Sequence, residues 1–370
     1  MTLTLHYRFG LMTACLLLMA VNACASEAPE SSTADAPPAG TVAVPAALET
    51  KAVATANADA ADDPAIWAAA AGTTAILGGE TVQGFIAGTD KKAGLYFYGL
   101  DGRELQFLPE GLLNNVDLRE DVSVAGRKQV VIGASDRGRM GVALYLYDPS
   151  STDPANQVRR WGFIRSDLDE PYGFCLGKSG AELHAILIGK DGQARQYRID
   201  STGGEPRGIE VRRFAIGSQS EGCVVDDGSA RLYIGEEAKG LWSYSFAPDG
   251  GDQRKLVQGV DGSGRLVADV EGVALMRDAD RTFVLVSSQG DSAFAVWQVN
   301  GKAPIYRGRF KVGAGVDADA VSGTDGIDAR GGMVGTFPEG IIVVQDDEND
   351  GQAQNFKLVD WREIRRALGL

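Results

Sequence analysis

Histidine is almost absent from this 370-residue sequence, which contains only His6 and His184. Ser-His-Asp triads, histidine-based phosphoryl transfer and histidine-rich metal sites all need a well-placed imidazole. His6 lies in the N-terminal apolar segment, and His184 lies beside a predicted apolar strand, where we expect a structural role. The glycine-rich loop with Lys-Ser/Thr that cradles nucleotide phosphates is also missing. If a polar site of this chain is catalytic, we therefore expect a metal ion and a metal-bound water to supply the nucleophile.

Cysteine is scarce as well, with four residues in the chain. Cys15 and Cys24 lie in the N-terminal segment, which leaves Cys175 and Cys223. Neither of these is followed by arginine six positions later, so the loop of the cysteine phosphatases is excluded. A disulfide between them and two buried thiols are both compatible with the sequence. The distance expected between inner strands of neighbouring propeller blades favours the thiols.

No apolar run is long enough to span a membrane, because the stretch 11–21 has the length of a signal-peptide core. With Arg8 before it and small residues after it, residues 1–25 resemble an export signal. Val21-Asn22-Ala23-Cys24 resembles a bacterial lipoprotein box, while Ala23-Cys24-Ala25 also satisfies a small-x-small cleavage rule. We favour lipidation of Cys24. The protein is thus expected outside the cytoplasm, as an outer-membrane lipoprotein or in a periplasmic or secreted form.

The composition of residues 26–46 predicts a flexible linker, and residues 47–370 are predicted to form one domain.

Positive charge is outnumbered, since 36 Lys and Arg face 50 Asp and Glu, for a net charge of -14. Such a field repels nucleic acid and anionic lipid, and it repels an anionic substrate unless cations intervene. Hydrophobic residues make up 44% of the chain, enough for a large core, and 48 glycines favour short strands with tight turns. We expect a monomer.

A short polar phrase recurs about every fifty residues, which is the repeat length of a propeller blade. Its six copies are Asp63-Pro64-Ala65-Ile66, Asn115-Val116-Asp117-Leu118, Tyr172-Gly173-Phe174-Cys175, Glu221-Gly222-Cys223-Val224, Glu271-Gly272-Val273-Ala274 and Asp325-Gly326-Ile327-Asp328. Six copies predict an all-β, six-bladed β-propeller with four-stranded antiparallel blades. Each copy begins an inner strand, so polar side chains from separate blades gather at one mouth.

The last repeat lacks an obvious fourth strand before a short helix-like segment, 361–367. We expect the segment near 49–54 to supply that strand and close the ring, because closure removes a free sheet edge. Apolar second strands, aromatic third strands and weaker outer strands are predicted in the other repeats.

Acidic side chains form the first group at the predicted mouth. Its members are Asp62, Asp63, Glu221, Glu237, Glu271, Asp319 and Asp325, with Asp346 and Asn349 nearby. Turn chemistry explains any one of them, but converging carboxylates repel one another unless a cation is present. Calcium prefers several oxygen ligands of this kind, so the pattern predicts calcium ions.

Basic side chains form the second group, at the turns after the second strands of the first three blades. They are Lys91, Arg137 and Lys190. Because adjacent strands are antiparallel, these turns share the mouth with the starts of the inner strands. The trio fits a grip on phosphate or carboxylate, and it also fits ordinary surface solvation. Tyr172 adds a hydroxyl donor beside them.

Longer motifs surround these positions in every repeat. They are Asp59-Ala60-Ala61-Asp62-Asp63-Pro64-Ala65-Ile66-Trp67, Lys91-Lys92-Ala93-Gly94-Leu95, Leu113-Asn114-Asn115-Val116-Asp117, Tyr172-Gly173-Phe174, Ser218-Gln219-Ser220-Glu221-Gly222, Tyr233-Ile234-Gly235-Glu236-Glu237, Asp269-Val270-Glu271-Gly272, Ser287-Ser288-Gln289-Gly290, Thr324-Asp325-Gly326-Ile327-Asp328 and Gln354-Asn355-Phe356-Lys357. In this order, from about residue 47 to the end, they closely resemble the β-propeller (alkaline) phytases.

The resemblance implies calcium-dependent hydrolysis of phytate, myo-inositol hexakisphosphate, or of its calcium salt, to lower inositol phosphates and orthophosphate. A 3-phytase-type phosphoric monoester hydrolase of this family uses direct attack by a calcium-bound water. Carried over by motif, calcium is held by Asp63, Glu221, Glu237, Glu271, Asp319 and Asp325, with Asp62 as a further ligand. Other calcium ions, involving Asp346 and Asn349, would be structural. Substrate phosphate is bound by Lys91, Arg137, Tyr172 and Lys190, with Asp191 beside them. Lys91, Arg137, Tyr172, Lys190, Glu221 and Glu237 are the implied catalytic residues.

Three positions depart from the family pattern: Asp191 replaces a longer glutamate, and Asp136 and Asp291 stand where amides are usual. Two other functions compete with the phytase interpretation. One is a binding propeller whose acids only stiffen the mouth, and the other is a calcium-dependent propeller lactonase or esterase. The three turn bases argue against the latter, since a neutral lactone does not need them.

Overall fold

The computed structural model describes residues 40–56, 58–300 and 303–370. The export signal, Cys24 and most of the predicted linker lie outside this part of the chain. The described residues form six antiparallel sheets of four strands, one of which gains a fifth strand that pairs in parallel. Each inner strand packs against the inner strands of the two neighbouring sheets, and the first packs against the last. The predicted six-bladed β-propeller is confirmed.

Each of the first five blades runs from inner to outer strand along the chain, and blade six takes its outer strand from the N-terminal side. The strands, from inner to outer, are Ala61–Ala68, Gly84–Asp90, Gly94–Gly99 and Glu104–Leu108 in blade one; Leu113–Val124, Arg127–Asp136, Gly141–Tyr147 and Arg159–Arg165 in blade two; Pro171–Ser179, Glu182–Gly189, Gln193–Asp200 and Arg207–Ala215 in blade three; Ser220–Asp226, Arg231–Glu236, Gly240–Ser245 and Arg254–Gly259 in blade four; Val270–Asp278, Arg281–Ser288, Ala293–Gln298 and Ile305–Gly313 in blade five; and Ile327–Gly331, Gly340–Asp346, Asn355–Asp360 and Leu48–Glu49 in blade six. A hairpin of Ala75–Leu77 and Glu80–Val82 follows the inner strand of blade one, and a 3₁₀ turn spans Gln289–Asp291.

The middle strands are the most hydrophobic because both of their faces are covered. Gly141–Tyr147 is buried along its whole length, whereas the outer strand Arg159–Arg165 exposes its arginines. Between blades one and two, Trp67 stacks on Phe85, and both rings meet the edge of Tyr147 at about 5 Å. This alternation of apolar middle strands and polar outer strands is the pattern that the sequence predicts.

The N-terminal side of the chain closes the ring, as the sequence predicts. Leu48–Glu49 pairs antiparallel with the third strand of blade six, with Leu48 opposite Leu358. The pairing starts one residue before the predicted segment and continues as backbone hydrogen bonds from Thr50 and Val53. The edge of the last blade is therefore covered by the other end of the same chain.

The domain begins earlier than the predicted boundary at residue 47. Thr41–Pro45 forms a fifth strand that pairs parallel with Ile305–Gly313 of blade five. Part of the sequence assigned to the linker is therefore a strand. Its Val42 and Val44 face apolar surface of blade five, a contact that the alanine- and proline-rich composition of this region conceals.

One α-helix, Trp361–Leu368, follows the last strand where the sequence predicts it. The Asp360 side chain accepts a hydrogen bond from the Arg362 backbone N–H at its start, and Gly369 ends it in a left-handed conformation. Trp361 and Ile364 are buried against blades five and six. Among the described residues, no helix combines the length and apolar character needed to cross a membrane.

Candidate active site

Inner strands begin with a β-bulge in the first five blades. In blade four, for example, Glu221 and Gly222 together face the single residue Gly235. A bulge re-aims side chains, and here its first residue lies at the mouth. The residues at this position are Asp62, Asn114, Tyr172, Glu221 and Glu271, and Asp325 takes the corresponding place in blade six.

This register corrects the repeat pattern in the first two blades. Asp63 and Asn115, which the sequence pattern pairs with Tyr172, occupy the second bulge position, where later blades have glycine. Each is preceded by an identical residue, so the sequence letters alone cannot show which of the two begins the repeat. Asp63 uses its carboxylate between blades, accepting a hydrogen bond from the Val116 backbone N–H at 3.0 Å.

Glycine at the second bulge position lets neighbouring inner strands approach closely. A Cβ atom at Gly173 would lie 2.2 Å from the Glu221 carbonyl oxygen, and one at Gly222 would lie 2.0 Å from that of Glu271. Gly272 and Gly326 approach the next blade in the same way, and each donates a backbone hydrogen bond across the junction. No side chain fits at these positions, so the glycines bring the mouth residues of successive blades together.

The same close approach explains an error in the sequence interpretation. Cys175 and Cys223 form a disulfide, with Cα atoms 5.7 Å apart, within the range that a disulfide can bridge. The expectation of two buried thiols assumed a wider spacing of inner strands than the glycines at 173 and 222 create.

His184 is fully buried and packs edge-on against Phe246, consistent with its expected structural role.

Three glutamates from two blades converge at the mouth. Carboxylate oxygens of Glu221, Glu237 and Glu271 all lie within 4.8 Å of one another, and all three residues are buried. Glu237 Oε1 and Glu271 Oε2 have no hydrogen-bond partner in the part of the chain that the structure describes. Three buried acids at this distance repel one another strongly unless a cation or protons compensate them.

Their proton affinities reflect that repulsion. Burial, followed by the charges of Asp62 and Glu271, raises the pKa of Glu221 well above its usual range. Burial and the charge of Glu237 do the same to the pKa of Glu271, and burial also raises the pKa of Glu237. The Asn114 amide donates a hydrogen bond to Glu221 Oε1, so this asparagine, which the sequence interpretation did not single out, orients one of the three acids.

Lys91 lies on the other side of the mouth, surrounded by three aspartates. Its ammonium nitrogen is 2.6 Å from Asp59, 3.1 Å from Asp62 and 3.1 Å from Asp325. Burial acts to lower the pKa of Lys91, but the surrounding carboxylates outweigh it and raise that pKa. Within residues 40–56, 58–300 and 303–370, neither oxygen of buried Asp62 has a hydrogen-bond partner, so its charge depends on this ammonium for compensation. Asp59 is a contact that the sequence interpretation missed.

The other two bases lie along the same mouth. Arg137 extends toward Lys91, whose carbonyl oxygen is 3.5 Å from an Arg137 side-chain nitrogen. Lys190 is half exposed, 3.9 Å from Glu170, and its ammonium lies 5.4 Å from the centre of the Tyr172 ring. Burial, then the charge of Glu221, raises the pKa of Tyr172, so its phenol remains a neutral donor beside the glutamates. The predicted site residues Lys91, Arg137, Tyr172 and Lys190 thus share one rim.

Asp191 behaves differently from its neighbours in the predicted site. Its carboxylate accepts a hydrogen bond from the Gln193 backbone N–H at 3.0 Å and closes its own turn. This contact is an ordinary Asx turn. The short Asp191 side chain therefore hydrogen-bonds within its own turn, whereas a longer side chain at this position would extend past the turn.

A separate acidic group surrounds Lys357 in blade six. Its fully buried ammonium contacts Glu49, Asp319, Asp346 and Asn349. Asp319, predicted with the calcium ligands of the mouth, is therefore paired with Lys357 next to Asp346 and Asn349. It lies in the loop after the outer strand of blade five, and the sequence cannot show to which side such a loop folds.

Comparisons with known proteins identify relatives of the whole chain. The family model described as Phytase matches residues 9–370. A 3-phytase from Bacillus subtilis (strain 168) is 38% identical over 344 residues, covering 88% of this chain and 85% of the relative.

Two solved structures share the fold at low sequence identity. Regucalcin from Agrobacterium tumefaciens, a calcium-binding protein, is 15% identical with a TM-score of 0.51, over 86% of this chain and 97% of its own. The α-L-arabinofuranosidase Arb93A from Fusarium graminearum is 10% identical with a TM-score of 0.55, over 87% and 99%. At these identities the likeness concerns the propeller alone.

Proposed function

This chain belongs to the phytase family and hydrolyses phytate as a phosphoric monoester hydrolase of the 3-phytase type, and we propose that it does so with calcium held at the mouth. The observation that carries the proposal is the cluster of Glu221, Glu237 and Glu271, buried and within 4.8 Å of one another. The two partnerless oxygens in this cluster belong to hard carboxylate donors, which suit calcium. Asp62 and Asp325, on the Lys91 side of the mouth, would complete the oxygen-rich wall.

Bound calcium would supply positive charge for the substrate phosphates and would acidify the attacking water. The protein has a net charge of -14, so the positive charge of bound calcium would be needed for a polyanion to enter the acidic mouth. Glu237 Oε1 and Glu271 Oε2, which have no hydrogen-bond partner among the described residues, would serve as ligands of that ion.

The bases along the rim would orient the phosphates. An Arg137 side-chain nitrogen lies 3.5 Å from the Lys91 carbonyl oxygen, so the two bases are neighbours and would bind one phosphate group together. Lys190 and Tyr172 lie together further along the rim, where the ammonium and the neutral phenol would donate to the same or a neighbouring phosphate. Phytate carries several phosphates, so two groups of donors suit its size.

Phosphate release from phytate, measured with calcium and again with a chelator, tests the proposal. We expect turnover only with calcium, and Glu237→Gln should lower kcat by at least about a hundredfold because the neutral amide removes one negative charge from the cation site. Glu205→Gln is the matched control, since Glu205 is exposed in a distant loop. Turnover that persists in chelator would overturn the metal role. Absence of turnover with calcium would favour a binding propeller.

Export, lipidation of Cys24 and a monomeric state accompany this proposal. The leader falls outside the described residues, so these expectations rest on the sequence. Mass spectrometry of the mature N-terminus separates the two processing routes, because a lipidated Cys24 adds the mass of its acyl chains. Size-exclusion chromatography with light scattering tests the monomer.

A further inference from the structure

The disulfide lies directly behind two residues of the mouth. Cys175 follows Tyr172 by three positions on the inner strand of blade three, and Cys223 follows Glu221 by two positions on the inner strand of blade four. Between the bulges and the sulfur atoms, the two backbones meet at Gly173, where a Cβ atom would collide with the Glu221 carbonyl oxygen. The covalent link thus joins the strands that carry Tyr172 and Glu221 close to their bulges.

Electrostatic repulsion acts on one of the two linked strands, the inner strand of blade four, which carries Glu221. Carboxylate oxygens of Glu221, Glu237 and Glu271 all lie within 4.8 Å of one another, and Glu271 belongs to the inner strand of blade five. Sliding of the blade-four strand would relieve this repulsion by moving Glu221 away from Glu271. At the bulge itself the contact is made by Gly173, which has no side chain to interlock the two strands, and the apolar side chains packed between blades three and four lie further along them. A covalent bond between the strands does resist sliding.

We infer that the Cys175–Cys223 disulfide is a positioning pair for the phytase reaction, fixing the offset of Tyr172 against Glu221 and preorganising the glutamate cluster for calcium. This inference rests on the proposed calcium site. Residues that orient metal ligands typically change metal affinity by about 10- to 100-fold when removed. The disulfide touches neither substrate nor metal, so its effect is exerted through the placement of Glu221.

Calcium affinity in the absence of substrate is the measurement that isolates this effect. Isothermal titration of calcium into the wild-type protein and into Cys175→Ala/Cys223→Ala should show about tenfold or greater weakening in the variant. The calcium concentration needed for half-maximal phosphate release should rise by a similar factor. At saturating calcium, kcat should recover to within a few-fold of wild type.

Ile186→Val is the matched control. Ile186 lies opposite Cys175 in the blade-three sheet and in the same buried cluster, so the variant loosens this core without cutting the link. We expect its calcium affinity to equal that of wild type. If the alanine variant does not fold, Cys175→Val/Cys223→Ala refills the volume without restoring the bond and replaces it in the test.

The outcomes separate the two proposals. Wild-type protein that binds no calcium would contradict the proposed function itself. Wild-type protein that binds calcium, with a disulfide-free variant of unchanged affinity, would overturn the positioning role alone. Equal weakening in Ile186→Val would also overturn it, because core loosening without loss of the bond would then explain the effect.

Discussion

Alanine at Gly222 is the substitution that most directly tests how the mouth is assembled. Gly222 follows Glu221, and its backbone conformation is one that any residue can adopt, so the effect of Gly222→Ala comes from space alone. The new Cβ would lie 2.0 Å from the Glu271 carbonyl oxygen and 2.8 Å from its carbon. Carbon and oxygen normally approach no closer than about 3.2 Å, so the two strands must separate by roughly 1 Å.

This separation displaces both Glu221 and Glu271. Glu221 directly precedes the new methyl group, and the backbone carbonyl of Glu271 collides with it. A misplacement of about 1 Å in a catalytic arrangement can cost about a hundredfold in rate. Overpacking adds a loss of about 1–3 kcal/mol in the free energy of unfolding. We therefore expect kcat/KM for phytate to fall about a hundredfold, with weaker calcium binding and a melting temperature lower by a few degrees.

Phosphate release at saturating calcium and calorimetric titration of calcium measure the two effects. Gly204→Ala is the control, since a Cβ atom there meets nothing within 4 Å. It should leave activity, calcium affinity and melting temperature unchanged. Activity of Gly222→Ala within about twofold of wild type would refute the claim that close strand approach places these glutamates.

Three further predictions concern charge. Lys190→Ala should raise KM for phytate about tenfold with a smaller change in kcat, because we propose that this half-exposed ammonium contacts substrate at the rim. The exposed Lys92→Ala should change neither constant. A loss confined to kcat would contradict this prediction. Lys357→Met should lower the free energy of unfolding by roughly 3 kcal/mol, because the substitution leaves the carboxylates around this buried ammonium unpaired. The exposed Lys255→Met should not lower it. Equal denaturation midpoints for the two variants would count against this prediction. Burial, then a neighbouring carboxylate, raises the pKa of Asp328 to about 7, so the folded protein holds this proton more tightly than the unfolded chain does. In chelator the free energy of unfolding should therefore fall as pH rises from about 4 to about 7, and a rise in urea midpoints across that range would disprove it.

Local patterns in the sequence were sufficient for the architecture. The period of about fifty residues, apolar middle strands and glycine-rich turns predict six blades, because each blade repeats one hydrophobic pattern. Closure by the N-terminal side follows from the missing fourth strand of the last repeat. The strand Thr41–Pro45 was missed because its composition is that of a linker, and only its contact with blade five makes it a strand.

Residue types at the mouth were also predictable, but their grouping was not. Acids and bases near strand starts and turns indicate a charged site, since antiparallel strands bring those ends together. Whether Asp319 joins Glu221 or Lys357 depends on the path of a loop, and the sequence contains no signal for that path. Likewise, Asp59 reaches Lys91 only because the segment before the first inner strand folds over the mouth.

Local sequence patterns are sufficient to predict the number of blades, the family, and the presence of carboxylates and bases at the mouth. Which of these side chains meet depends on contacts between blades. The bulges set which residue of Asp62-Asp63 and of Asn114-Asn115 stands at the mouth, and the glycines set how near the strands come. That spacing forms the Cys175–Cys223 bond and the glutamate cluster, because both require backbone contacts between blades that lie about fifty residues apart in the chain.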